Sequence, residues 1–235
     1  MSFMVLLGIA LIAFSPVLVL VLLTVAQSAE LVVLLVCSAF FWLLSILVTS
    51  ILWFIISPIR DAYVWAIFLA VALQEVGRWA TYRVLKRAEP GLLKVADFAN
   101  SRLVHHRLAY VSGLGFGIMS ALIQFNPVLS VATGPGMLPS PGCTGNSYYL
   151  VSAFTICCFS LLHVFWHVVF SHGMNTNSKV LVAIVPIAHL AASLLTLINE
   201  SGESCAGALV PLYIELALFG FICWRIISKR PSREF

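Results

Sequence analysis

Apolar residues run almost unbroken for about 20 positions at a time along this chain, the length at which a helix crosses a bilayer core of about 30 Å. Seven such runs are read, over about 3–26, 31–57, 61–84, 107–131, 148–171, 180–199 and 207–228. Strands of a membrane barrel alternate apolar and polar residues at every second position, and these runs do not. The pattern therefore predicts an all-α, polytopic membrane protein, one domain of seven transmembrane helices over 1–235. Between runs, the polar and basic segment Leu85 to His106 reads as the one sizeable loop, and 132–147, rich in Gly, Pro and Ser, as an irregular one. The first run resembles a secretion signal at Ala26-Gln-Ser-Ala29, yet it lacks a preceding basic residue and exceeds the usual apolar length, so a retained span is expected.

Composition agrees. Of 235 residues, 61% are hydrophobic and 9% charged, whereas soluble domains carry about 25% charged residues. A soluble core of this size has no room for so much apolar surface. Lipid must be the solvent, and the backbone must satisfy its own hydrogen bonds.

Lys and Arg set the orientation. Arg83, Lys86, Arg87, Lys94, Arg102 and Arg107 surround the 85–106 segment, Lys179 lies between runs five and six, and Arg225, Lys229, Arg230 and Arg233 end the chain. Arg60 alone falls on the opposite side, and Arg78 lies inside a run. The C-terminus is expected in the cytosol and, with seven crossings, the N-terminus in the lumen or outside the cell.

Ionisable groups inside spans are costly, which makes them functional candidates. Gln74, Glu75 and Arg78 interrupt the third run, with Glu75 and Arg78 three residues apart on one helix face. His163 and His167 share a face of the fifth run, and His189 lies in the sixth. At about 1.5 Å per residue, Glu75 and His163 lie about 12 Å, and His189 about 15 Å, from the cytosolic ends of their runs. A shared buried polar cluster of Gln74, Glu75, Arg78, His163 and His189 is expected. A stable metal site normally needs three or four ligands, and neither metal nor cofactor is expected. Small residues at Gly113, Gly117 and Ala121 recur every fourth position and form a smooth stripe suited to close helix approach. Six cysteines form no CxxC pair. Cys143 and Cys205 fall in outer loops under this topology, where a disulfide between them is open. Asn199-Glu-Ser201 is a glycosylation acceptor motif at the outer end of the sixth run.

The stretches AFSPVLVLVLLTVA (13–26), AFFWLLS (39–45), LQEVGR (73–78), AYVSGLGFGIMSA (109–121), TGPG (133–136), LLHVFWHVVF (161–170) and AHLAASLLTLIN (188–199) resemble the anterior-pharynx-defective subunit of gamma-secretase, across nearly the whole chain. The resemblance implies a seven-span, non-catalytic scaffold subunit that assembles with presenilin, nicastrin and the presenilin enhancer. Presenilin would supply the catalytic aspartates for cleaving type I membrane proteins such as Notch and the amyloid precursor protein. It also implies a multi-pass protein of endoplasmic reticulum, Golgi, plasma and endosomal membranes. The family's glycine stripe maps onto Gly113 and Gly117, with Ala121 in place of its third glycine, and its two histidines map onto His163 and His189. His167 is outside that pattern.

A fainter likeness is to glutamate-dependent intramembrane proteases of the prenyl-processing type, with Glu-Glu-xxx-Arg, Phe-xxx-His and His-xxx-Asn. Here Gln74-Glu75-xx-Arg78, Phe159-xxx-His163 and His189-xxx-Ser193 keep the order with three departures. The scaffold reading is preferred. The alternative is an intramembrane hydrolase using Glu75 with His163, His167 and His189.

Overall fold

The computed structural model describes residues 3–56, 63–95, 104–133, 143, 146–199 and 205–228. Seven α-helices run through them: α1 (Phe3–Thr24), α2 (Ala29–Ile55), α3 (Tyr63–Val95), α4 (Val104–Thr133), α5 (Asn146–Asn175), α6 (Lys179–Leu195) and α7 (Leu209–Ser228). A single 3-10 turn, Thr196–Asn199, follows α6. Six helical spans, α6 being counted with its 3-10 turn, are long and apolar enough to cross a membrane. The remaining helix, α3, is 33 residues long and carries Gln74, Glu75 and Arg78 within it.

Helix α5 is the hub. It packs against α4, α1, α6 and α7, while α2 bridges α4 and α3, and α3 reaches α6. In α5, 78% of the most apolar stretch is buried within the protein, against 17% in α1 and α7. The outer helices thus turn most of their apolar surface away from the chain, as lipid-facing helices must, and α5 is shielded by protein. Trp166, Leu162 and Val169 of α5 are fully buried and join Leu212 and Phe219 of α7 in the largest core cluster.

Small residues decide how closely the inner helices approach. A Cβ added at Gly113 would lie 2.6 Å from Cα of Val164 and 3.0 Å from the Val164 carbonyl oxygen. One at Gly117 would run into the Ser160 carbonyl. Both glycines therefore face α5 of the same chain. Gly115, two residues on, turns to the other side of α4, where Leu35 and Ser38 of α2 approach its backbone. Ala121 is buried against α1 and α5, in a cluster with Ile9, Ala13 and Ala153.

One loop reading needs correction. The segment from Leu85 was expected to be loop, but α3 continues to Val95 and α4 already begins at Val104. Leu85 is buried with Val17, Leu34 and Leu108. Glu89 pairs with Lys86 at 3.4 Å and with His105 of α4 at 2.9 Å. Pro90 lies within this helix, where packing on its flank outweighs the lost backbone bond. Most of the 132–147 loop lies outside the described residues. Between α5 and α6, Asn177 adopts φ 53° and the Ser178 N–H donates to the Gly173 carbonyl, a left-handed cap that turns the chain sharply.

Candidate functional site

Three helices bring polar side chains to one buried point. On α3, Gln74, Glu75, Arg78 and Thr81 follow helical spacing, and Arg78 is fully buried. A lone guanidinium at that depth is untenable, so its donors must be met. Arg78 Nε donates to Glu75 Oε2 at 3.0 Å, and Nη2 donates to Glu75 Oε1 at 3.0 Å. This two-pronged pair within one helical turn cancels the charge locally.

The remaining donors turn to α5. Arg78 Nη1 lies 2.6 Å from His167 Nδ1, and Nη2 lies 3.4 Å from His163 Nδ1. Guanidinium has no acceptor, so His167 Nδ1 must accept, which puts any ring proton of neutral His167 on Nε2. The Arg78 cation also stands 5.6 Å over the Phe116 ring of α4 and 5.8 Å over Trp166 of α5. From α6, His189 Nδ1 donates to Glu75 Oε1 at 2.7 Å. Both carboxylate oxygens of Glu75 are therefore engaged, and α3, α5 and α6 are tied through one ion pair.

The residues singled out from the sequence are placed as follows. Glu75, Arg78, His163 and His189 meet. Gln74 stands beside them without joining the ion pair: its Oε1 accepts the Trp42 indole N–H at 2.9 Å, linking α3 to α2. His167, left outside the expected cluster, makes the shortest contact to Arg78; its spacing from His163 was the available signal. Glu215 on α7 was also missed, although it is a carboxylate within an apolar run. It lies beside Trp166, and Trp166 in turn stacks on His189 at 4.5 Å between ring centroids. Gln74, His163 and His189 line a cavity of about 250 Å³ with Ser120, Gln124 and Ser193. No group of three or more metal-binding side chains is arranged for a metal ion among the described residues.

Away from the cluster, the sulfurs of Cys143 and Cys205 are bonded, with Cα atoms 4.8 Å apart and 62 residues between them in sequence. Asn199 Oδ1 accepts the Ala208 N–H at 3.0 Å, so the acceptor asparagine helps to start α7.

The family model described as Aph-1 protein matches residues 4–230. The chain is 35% identical over 230 residues to "Gamma-secretase subunit Aph-1" of Drosophila melanogaster, covering 97% of this chain and 95% of the relative. It is 36% identical to "Gamma-secretase subunit Aph-1b" of Danio rerio, covering 92% and 87%. "Gamma-secretase subunit APH-1B" of Homo sapiens is 37% identical, covering 88% and 84%.

Proposed function

The chain belongs to the Aph-1 family, and from that premise we propose that it is a non-catalytic scaffold subunit of a gamma-secretase complex. Its relatives bear the name of gamma-secretase subunits, and its apolar helices suit a multi-pass membrane protein of that complex. Presenilin, nicastrin and the presenilin enhancer are its partners in this reading, and presenilin carries the catalytic aspartates. All seven helices cross the bilayer, with the N-terminus in the lumen and the C-terminus in the cytosol. The complex travels through endoplasmic reticulum and Golgi to plasma and endosomal membranes, cleaving type I membrane proteins such as Notch and the amyloid precursor protein.

One observation carries the non-catalytic part of this reading. A general base must accept a proton from a bound water. Both oxygens of Glu75 already receive hydrogen bonds, from Arg78 and from His189. With both oxygens already clamped by Arg78 and His189, Glu75 is poorly placed to take a proton from a bound water. The same clamp is well suited to holding α3, α5 and α6 in one arrangement, on which an assembly surface depends.

The test is proteolysis per assembled complex. Replacing His163 or His189 by Ala should reduce the amount of complex recovered in gentle detergent, and cleavage should fall in proportion. Glu75→Gln should act the same way and at least as strongly, because it removes the charge that neutralises buried Arg78. Normal assembly with cleavage lost per complex would overturn the scaffold reading of these residues. The 250 Å³ cavity beside His163 and His189 favours a second reading, an intramembrane hydrolase. Peptide hydrolysis by the purified chain without presenilin, abolished by Glu75→Gln, would establish it.

A further inference from the structure

Helix α7 carries one acid, Glu215, within an otherwise apolar stretch. Glu215 follows buried Leu212 by three residues and precedes buried Phe219 by four, so it stands at the face that α7 packs on α5. At about 1.5 Å per residue it lies about 9 Å into the helix. The neighbouring Ile214 and Leu218 turn outward, 56% and 58% exposed. Glu215 itself is partly exposed, while its Oε1 is fully enclosed by protein. The carboxyl therefore straddles the border between the protein core and the lipid around it.

Glu215 forms no ion pair among the described residues. Arg225, the base of the same helix, stands about 15 Å farther along its axis. The donors around the carboxyl are committed elsewhere. On α5, the Cys158 thiol donates to the Leu212 carbonyl. On α7, the Tyr213 hydroxyl donates to the Phe154 carbonyl. On α6, His189 donates to Glu75. The Trp166 indole lies beside Glu215, and its N–H, like Glu215 Oε1, is buried without a hydrogen-bond partner. One neutral donor is no substitute for the counter-ion that a carboxylate needs away from water. Glu75 shows the contrast, since a guanidinium and an imidazole hold both of its oxygens.

We infer that Glu215 is held as an uncharged carboxylic acid at the lipid border, and that it is a modification site for apolar carbodiimides arriving through the bilayer. The inference rests on the reading that α7 crosses the membrane. The acid passes its proton to a carbodiimide nitrogen, and the carboxyl oxygen bonds to the central carbon to give an O-acylisourea. The acyl group then moves from that oxygen to nitrogen, giving a stable N-acylurea. No atom is lost and nothing is oxidised or reduced. The first step needs the acid's own proton, so a carboxylate held by a cation, such as Glu75, does not enter it. An uncharged Glu215 also accounts for an acid in a helix apolar enough to span.

The experiment uses the full chain, purified with its associated subunits and reconstituted in phosphatidylcholine vesicles. It is treated near neutral pH with dicyclohexylcarbodiimide, and the peptides of α3 and α7 are mapped by mass. Labelling at Glu215 should exceed that at Glu75 roughly ten-fold or more, since the protonated fraction of a carboxyl falls ten-fold with each pH unit above its pKa. No adduct at Glu215 would overturn the modification site. A water-soluble carbodiimide should label Glu215 far less than the apolar one. Equal labelling by both would instead overturn the membrane-spanning reading of α7, and the inference with it. Infrared difference spectra need no access for a reagent. Wild type minus Glu215→Gln should show the carbonyl stretch of an undissociated acid, shifted in heavy water. A carboxylate band in its place would overturn the uncharged state, and would mean that a partner's cation pairs with Glu215. Glu215→Gln should be recovered in complex as well as the wild type, because one uncharged group replaces another; a marked loss would count against the inference. The labelling arm needs no substitution, so it decides the question even where the variant fails to fold.

Discussion

Arg78 Nη1 and His167 Nδ1 lie 2.6 Å apart across a sequence separation of 89 residues. This contact joins the only fully buried cation among the described residues to the helix at the centre of the bundle. It is also the member of the polar cluster that neither depth nor resemblance had selected.

The first prediction follows from it. His167→Ala leaves a buried guanidinium donor without an acceptor, at a cost of about 1–3 kcal/mol. His163 sits farther from Arg78, at 3.4 Å, so its loss should disturb Arg78 less directly. Thermal unfolding of the detergent-solubilised protein checks this: His167→Ala should lower the midpoint clearly, and His167→Asn should recover part of the loss. A midpoint unchanged in His167→Ala would remove His167 from the clasp.

The second prediction separates the ion pair from its parts. Arg78→Leu strands Glu75 in the membrane interior, and Glu75→Leu strands Arg78. Breaking a buried pair from one side costs about 3–5 kcal/mol. Removing both charges together should be far milder, because no uncompensated ion remains. A double-mutant cycle on stability in mild detergent measures the difference. Additive losses would show that the two charges are not coupled.

The third prediction uses the glycines. Even a methyl group at Gly117 would meet the Ser160 backbone, whereas one at Gly8 of α1 has nothing within 4 Å. Gly117→Ala should therefore destabilise the chain by about 1–3 kcal/mol through overpacking, and Gly8→Ala should be neutral or slightly stabilising. Gly117→Leu should still insert, since it is more apolar, but should reduce folded protein and so the complex recovered. Equal recovery of Gly117→Leu and wild type would contradict the observed helix approach.

The fourth prediction concerns Cys143 and Cys205. Their Cα separation of 4.8 Å lies within the range a disulfide spans. A thiol reagent applied to the unfolded protein should label both only after reduction, while Cys37, Cys157, Cys158 and Cys223 react without it. Labelling of Cys143 and Cys205 without a reductant would show that they do not pair.

The fifth prediction tests orientation. An engineered glycosylation acceptor, carried on a spacer in 134–142, should be modified, and one in 96–103 should not. Asn199 itself should be poorly modified, because its side chain bonds the Ala208 N–H and it abuts a helix. The reverse pattern would invert the topology.

Helix number, helix type and membrane residence were legible in the chain because they rest on local quantities. A run of about 20 apolar residues can satisfy its backbone in lipid in one way, as a helix. Glu75, Arg78, His163 and His189 were legible for the same reason: a charge within such a run needs a partner wherever it lies. The partner itself was not legible. His167 faces Arg78, and Gly117 faces Ser160, only because α3, α4 and α5 cross at particular depths and rotations. Those angles are set by packing between helices, which no single helix encodes. The continuation of α3 through Pro90 has the same origin. Taken alone, Ala88-Glu-Pro-Gly91 reads as a break, but burial of Leu85 and the pairing of Glu89 with His105 of α4 hold it helical. Sequence thus determined which groups had to be neutralised in the membrane, and tertiary packing decided by whom, since contacts between distant segments exist only after the helices have docked.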